Sequence, residues 1–361
     1  MEPTNLKALT LDELRDFVGT LGEKAFRGSQ IYEWIHKRGA RSFAEMSNLS
    51  KALRETLEGV ATIEGVTLEN VLLSSDGTRK LLLRTTDGKR LETVLIPMPN
   101  GLTQCVSSQI GCHIGCPYCL TAKMPERRNL SMPEIVDQIY LGRRVLEEAG
   151  DEPVRNLVFM GMGEPLHNFA NVVAALKTLM HQKGANYSSR RITVSTSGLV
   201  PKIKELGEAV PVNLAISLNA VTDPLRDRMV PINKKYNLER LIAALREFPL
   251  PPRRRITIEY VVCKDVNDSA EEAQIMTSLL SGLRVKINLI PFNPYPGAEF
   301  ETPSDEAVTR FQRILTEKGY QANIRQHKGR DIGAACGQLD GKVDEPLALV
   351  RGSTVRAATV A

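Results

Sequence analysis

Six cysteines offer the most chemistry in this sequence: Cys105, Cys112, Cys116, Cys119, Cys263 and Cys336. Three of them are spaced C-x3-C-x2-C in the run Gly111-Cys112-His113-Ile114-Gly115-Cys116-Pro117-Tyr118-Cys119. Three thiolates on one tight loop can hold three corners of a cubane [4Fe–4S] cluster and leave the fourth iron open to a substrate. A structural zinc usually takes four protein ligands, typically from two C-x2-C knuckles, and no second knuckle follows. His113 is a candidate fourth zinc ligand, but it lies between two cysteines and would strain the loop. A third reading is cysteines that are only buried. It suits Cys263 on its apolar strand and fits clustered cysteines poorly. Cys336 sits in Ile332-Gly333-Ala334-Ala335-Cys336-Gly337-Gln338. Such small neighbours let the backbone approach a substrate, so it reads either as a small buried hydrophobe or as a reactive thiol.

Elements must position these groups. The periodicity predicts helices over Leu11 to Leu21, Gly28 to His36 and Ser50 to Leu57, a small helical module. Short apolar runs at Asn70–Leu73, Lys80–Arg84 and Leu91–Ile96 are separated by Asp76-Gly77 and Asp87-Gly88, both hairpin-turn dipeptides. From about residue 101 the rhythm becomes strand, helix, strand, helix. The strands are Thr103–Ser107, Asn156–Met160, Arg191–Ser195, Val212–Leu218, Arg255–Val262 and Lys286–Pro291. A helix starts at Ser131 with Glu134 completing a capping box; others span about 168–183, 238–248, 268–281 and 304–318. Apolar strands alternating with helices predict a parallel sheet covered by helices. Six units fall short of a closed eight-stranded barrel, so the fold class is α/β, a partial (β/α)6 barrel. The domains read as 1–60 helical module, 61–100 antiparallel β extension, 101–340 barrel and 341–361 a mobile tail.

Polar residues end several of these strands: Gly161-Met162-Gly163-Glu164-Pro165, Ser195-Thr196-Ser197-Gly198, Ser217-Leu218-Asn219-Ala220 and Ile290-Pro291-Phe292-Asn293. Each alone is ordinary turn chemistry. Together they lie on the face where α/β folds place ligands, the same face as the cysteine loop.

The composition narrows the classes. Of 361 residues, 42% are hydrophobic and 25% charged, which argues against disorder, collagen and a disulfide scaffold. The apolar runs are too short to span a bilayer, and the N-terminus has no basic stretch followed by an apolar core. A cytoplasmic protein is expected, in a compartment where clustered cysteines bind metal or do chemistry. A net charge of +5 permits a nucleic-acid partner without demanding one. Candidate basic patches are Arg127-Arg128, Arg190-Arg191, Lys234-Lys235 and Arg253-Arg254-Arg255.

The cysteine spacing, with Tyr118 before the last cysteine, resembles the radical S-adenosylmethionine (SAM) superfamily. Further segments occur in family order: Leu21-Gly-Glu-Lys-Ala-Phe-Arg27, Cys105-Val-Ser-Ser-Gln109, Arg128-Asn-Leu130, Val230-Pro-Ile-Asn-Lys-Lys235 and Ala334-Ala-Cys-Gly-Gln338. With the cysteine loop, Gly161–Pro165 and Ile290–Pro294, they resemble the dual-specificity rRNA/tRNA adenine C2 methyltransferases over roughly Leu11 to Gly341. The resemblance implies that Cys112, Cys116 and Cys119 hold one [4Fe–4S] cluster and that two SAM molecules are used per turnover. Cys336 takes a methyl group from one SAM. A deoxyadenosyl radical from the second, bound at the cluster, removes a hydrogen from that methyl. The carbon radical adds to adenine C2, a proton leaves C2, and Cys105 attacks the Cys336 sulfur. A transient Cys105–Cys336 disulfide forms and 2-methyladenosine is released. The same likeness implies Glu92 as proton acceptor and Gly163, Glu164, Ser195, Ser217, Leu218, Asn219 and Asn293 as SAM contacts. Asn219 stands where the family usually has histidine.

The implied partners are 23S rRNA at the peptidyl transferase centre, tRNA at the adenosine 3′ of the anticodon, and an external electron donor such as flavodoxin or ferredoxin. No membrane partner is expected, and the chain is expected to be a monomer. The helical module is the candidate RNA-docking element. Three rivals stand beside this reading: the related adenine C8 rRNA methyltransferase, a radical SAM enzyme with a small-molecule substrate, and a zinc-stabilised RNA-binding protein.

Overall fold

The computed structural model describes residues 3–342. Most of the expected mobile tail, from residue 343 on, lies outside the described residues. Its first residue, Gly341, is anchored: its N–H donates to Glu92 Oε2 at 3.1 Å.

Helices α1 (Leu11–Thr20), α2 (Ala25–His36) and α3 (Lys51–Val60) form the N-terminal module. Thr10 and Glu13 close a capping box at the start of α1. The module has its own core, in which Leu14, Val18, Ile31, Ile35, Leu53 and Leu57 meet. Gly28 lets α1 and α2 cross closely, since a Cβ there would lie 2.7 Å from Leu14 O and Arg15 N. Buried polar pairs fasten the module to helix α4 (Met132–Ala149): Lys7 to Asp137, and His36 Nδ1 to Tyr140 OH at 2.9 Å.

Ten strands form one sheet in strict chain order. Strands β1 (Val66–Leu73), β2 (Arg79–Thr85), β3 (Arg90–Ile96) and β4 (Leu102–Cys105) are antiparallel neighbours. Asp76-Gly77 and Asp87-Gly88 make the expected turns, with Gly77 at φ +83° and Gly88 at φ +79°. These strands are no separate sheet, because β4 also pairs in parallel with β5 (Val154–Phe159). Five parallel strands follow: β6 (Ile192–Thr196), β7 (Asn213–Ser217), β8 (Ile256–Val262), β9 (Val285–Pro291) and β10 (Ala322–Ile324).

Strand β10 was not expected. It has three residues, only Ala322 is buried, and so it shows no apolar run. The expected helices appear as α4, α5 (Phe169–Met180), α8 (Leu238–Glu247), α9 (Ala270–Leu279) and α10 (Asp305–Glu317). Helices α6 (Val200–Ala209) and α7 (Asp223–Met229) add to them. Ser131 and Glu134 close the predicted capping box at α4. The result is an open, partial barrel. Its main core runs from Leu81 and Leu91 through Leu157, Val194, Ile216 and Ile258 to Ile287 and Phe311.

Candidate active site

Six strands end at one cavity with an empty volume of about 1050 Å³ including its mouth. Cys112, Cys116 and Cys119 line it, as do Gly163, Glu164, Ser195, Ser217, Asn219, Asn293 and Cys336. The sheet thus gathers residues that lie up to 224 positions apart, Cys112 to Cys336, on one concave surface.

The cysteine loop leaves β4 and returns through a two-residue pairing of Gln109–Ile110 with Arg128–Asn129. Gly111 is required where the loop doubles back: φ is +64° and a Cβ would lie 2.2 Å from Glu126 O. Among the described residues no three His, Cys, Asp or Glu side chains converge on a single-ion site. Burial raises all three thiols, Cys112 to about 12. Cluster assembly must therefore release their protons.

Glu164 is buried and its partners are fixed. Oε2 accepts from Ser197 N at 2.8 Å and Ser197 Oγ at 2.7 Å, and Oε1 accepts from Leu166 N at 3.0 Å. The glycines beside it are explained by the chain itself. A Cβ on Gly163 (φ +96°) would lie 2.5 Å from Gln109 Cβ, and one on Gly161 2.6 Å from Ser107 Oγ. They let the Gly161–Glu164 turn press against the segment that leads into the cysteine loop.

Asn219 adopts φ +57°, a left-handed conformation that asparagine tolerates better than most side chains. Its Nδ2 donates to Tyr118 OH at 2.6 Å and its Oδ1 accepts from Val261 N at 2.8 Å. The side chain thereby ties the cysteine loop to β8. Leu218 does not face the cavity; it is buried in the core, and only its backbone works here, donating to Glu259 O at 2.9 Å. Between the cavity-lining Ser217 and Asn219, Leu218 thus offers the site its main chain rather than its side chain.

Cys336 rides on a segment stitched to the site. Leu120 N donates to Gly337 O at 2.8 Å and Thr121 Oγ1 to Leu339 O at 2.6 Å. Asn293 Nδ2 donates to Cys336 O at 3.3 Å, while its Oδ1 bonds His327 Nδ1 and Arg330 Nε. Cys336 is exposed because it faces the cavity, yet surrounding chain encloses it closely enough that burial is the main influence raising its thiol. Arg325, the cation that lines the cavity, acts in the opposite direction.

Cys105 ends β4, buried behind the cavity rather than lining it. Burial first, and then the nearness of Cys336, push its thiol up to about 12. Both cysteines are free thiols, so the implied disulfide is not formed in this structure.

Glu92 is also behind the cavity. It is 0% exposed, and it pairs at 3.0 Å with Lys80, itself 2% exposed. Its Oε2 accepts from Asp340 N at 2.9 Å and Gly341 N at 3.1 Å, so it clamps the far end of the Cys336 segment. Burial raises its carboxyl despite the opposing charge of Lys80.

Three charged residues of the site escaped the sequence reading. Arg226 is fully buried and donates to Leu218 O at 3.0 Å, Ser197 O at 2.7 Å, Ser217 O at 3.3 Å and Asn233 Oδ1 at 2.9 Å. It binds two strand ends together beneath the cavity. Its spacing from Met229, on one buried stripe of α7, was the available signal. Glu259 faces the cavity from mid-β8, held by Asn288 at 2.9 Å. A carboxylate inside the apolar run Ile256–Val262 was its signal. Arg325 follows the unexpected strand β10 and had none.

Comparison with known proteins bears on this arrangement. Residues 4–63 match the model for the ribosomal RNA large subunit methyltransferase N-terminal domain, and residues 106–274 match the radical SAM superfamily. A protein of Geobacter sulfurreducens named dual-specificity RNA methyltransferase RlmN is 50% identical over 340 residues, covering 94% of this chain and 93% of that one. One of Geotalea uraniireducens, with the same name, is 48% identical, covering 96% and 99%. The crystal structure of a radical SAM methyltransferase from Sphaerobacter thermophilus superposes with a TM-score of 0.90 at 42% identity, covering 94% of this chain and all of that one.

Proposed function

This chain belongs to the dual-specificity RNA methyltransferase family of the radical SAM superfamily, and from that premise we propose that it forms 2-methyladenosine in 23S rRNA and in tRNA. It is an RNA methyltransferase that works with a [4Fe–4S] cluster and SAM. The target adenosines in this reading are one in the peptidyl transferase centre and the one 3′ of the tRNA anticodon. The observation that carries it is the single cavity shared by Cys112, Cys116, Cys119 and Cys336.

Cys112, Cys116 and Cys119 would hold the cluster, whose chemistry when bound would be to supply the one electron that cleaves SAM to methionine and a deoxyadenosyl radical. Glu164, Gly163, Ser195, Ser217, Asn219 and Asn293 form the wall against which SAM lies. Cys336 carries the methyl group to the base, and its small neighbours leave room for an extruded adenosine. A covalent carrier is needed because C2 of adenine is electron-poor and does not displace a methyl from SAM directly. Cys105, close behind, is the thiol that releases the product by attacking the Cys336 sulfur. Glu92 is the proton acceptor, one hydrogen bond from the segment that carries Cys336. The module of residues 1–60 docks the RNA, and an external single-electron donor such as flavodoxin or ferredoxin meets the monomer in the cytoplasm. None of the helices is long and apolar enough to cross a membrane, among the described residues.

The curated relatives carry a dual-specificity name, which a C8 enzyme confined to one rRNA base does not account for. Anaerobic protein incubated with reductant, SAM and either a 23S rRNA fragment or a tRNA transcript tests the reading. Nucleoside mass spectrometry with the C2 and C8 isomers separated should find 2-methyladenosine in both RNAs. Only 8-methyladenosine, or no methylation beside active SAM cleavage, contradicts it.

A further inference from the structure

The catalytic cavity opens at the carboxyl ends of the parallel strands. A second concavity, with an empty volume of about 2870 Å³ including its mouth, opens at their amino ends. Thr193, Asn213, Thr257 and Val285, all at or near the starts of β6 to β9, contribute to it. Six cations line this groove: Arg190, Arg253, Arg254, Arg255, Arg284 and Lys286. No Asp or Glu lines it. Among the described residues, none of the six forms a salt bridge. Arg190 and the run Arg253–Arg255, which starts 63 residues further along, thus converge on one surface with no carboxylate in its lining.

A fold-stabilising duty accounts for some of these side chains. Helices that return between parallel strands point their negative C-terminal ends toward this edge, and cations there are favourable. Arg254 donates to Pro211 O at 2.5 Å and Ser189 Oγ at 3.0 Å, and Arg284 donates to Leu250 O at 3.1 Å. Arg255 donates to Gln321 Oε1 at 2.7 Å. The side chains of Arg190, Arg253 and Lys286 make no hydrogen bond among the described residues; the charge of Lys286 acts also on the buried Glu259, which leaves Arg190 and Arg253 as the two that no contact within the fold accounts for. Arg253 also occupies the third position of a tight turn closed by Arg254 N to Pro251 O at 3.1 Å, with φ +64°. Glycine or asparagine normally takes that position. An arginine kept there at a backbone penalty, in a groove of like charge, points to a polyanion.

We propose that this groove binds the phosphate backbone of the RNA substrate at a segment remote from the target adenosine. The inference rests on the RNA-methyltransferase reading of the cavity. From Thr257 in the groove to Val261 in the cavity is four residues of strand, roughly 13 Å. A folded RNA that places one base in the cavity therefore has neighbouring segments long enough to pass the barrel edge and reach the groove. Recognition is by charge and shape, with no base read, so it serves rRNA and tRNA alike.

The test is an Arg190→Gln/Arg253→Gln/Lys286→Gln triple variant of the holoenzyme. A charge-matched control is Lys202→Gln/Lys264→Gln/Arg313→Gln, three exposed cations that pair with glutamates. Affinity for a tRNA transcript is read by fluorescence anisotropy across a salt series. Three lost phosphate contacts should flatten the slope of log K against log salt by about 2 to 3 and weaken binding by roughly tenfold to a hundredfold at 0.1 M salt. The control should shift far less. Turnover at saturating RNA and RNA-free SAM cleavage should match wild type in the Arg190→Gln/Arg253→Gln double variant, whose two residues lie at the opposite end of the barrel from the cavity. Unchanged affinity and slope in the triple variant overturn the proposal and leave the catalytic reading intact. Wild-type protein that binds no RNA overturns both.

Discussion

Replacing Glu92 by glutamine isolates the buried charge behind the Cys336 segment. Glutamine keeps the shape, and its carbonyl oxygen can still accept from Asp340 N and Gly341 N. What disappears is the negative charge 3.0 Å from the Lys80 ammonium, in a place where neither side chain is more than 2% exposed. Removing one partner of a buried pair costs about 3–5 kcal/mol, and because Lys80 keeps a further interaction the low end, about 3 kcal/mol, is expected. Unfolding entropy near 2.1 cal/mol/K per residue gives roughly 0.76 kcal/mol/K for a chain of 361 residues. The melting temperature should therefore fall by about 4 °C. A Lys80→Met/Glu92→Gln double variant removes both charges and should recover most of that loss. In the same single variant, with no proton acceptor, the RNA–Cys336 adduct should accumulate as a slow band on denaturing gels. A melting temperature within a degree of wild type, or a double variant no better than the single, refutes the energetic argument. Normal turnover without adduct refutes the catalytic one.

Other perturbations have equally definite outcomes. Asn219→Ala removes the bonds to Tyr118 and Val261 and places alanine at φ +57°, costing about 2–4 kcal/mol; iron content per chain should fall with it. Arg226→Met leaves the carbonyls of Ser197, Ser217 and Leu218 without their donor and should cost at least about 3 kcal/mol by denaturant titration. Asp76 accepts from Gly329 N at 3.0 Å, at the head of the Cys336 segment. Burial acts to raise its carboxyl, but hydrogen bonds from Thr78, Gly329 and Ser74 outweigh it and hold it at about 2, below the ordinary 3.8. Its contribution is present above pH 3.8 and is lost as pH falls through 2. Asp76→Asn should therefore be less stable than wild type near neutral pH and converge on it in acid, followed by circular dichroism.

The parallel strands other than β10 were legible as short apolar runs alternating with helical patterns, and the cysteine loop because its spacing has few other uses. Convergence on one face followed from strand polarity alone, which is why Ser195, Ser217 and Asn293 were found. The sequence did not separate residues that face the cavity from those that brace it. Glu164 and Asn219 look like ligand contacts, yet each also holds neighbouring chain through its side chain, since a buried polar group must find partners. Leu218 shows the same limit: its side chain packs in the core between two cavity-lining neighbours, so only its main chain is on offer to the site. Glu92 sits on an alternating strand, where nothing local reveals that Lys80 and the backbone of Asp340 will meet it from 12 and 248 positions away. Arg325 was invisible, and Arg226 easily passed over despite its spacing from Met229, because charge in a helix or loop is normally solvated.

The central claim is that Cys336 carries the methyl group. A pulse of methyl-labelled SAM, with protein and RNA then analysed by mass spectrometry, tests it most directly. The label should appear on the peptide containing Cys336 before RNA is added and then move to adenine, and Cys336→Ala should show neither. Label that reaches RNA in Cys336→Ala, or that never resides on Cys336 in wild type, contradicts the account.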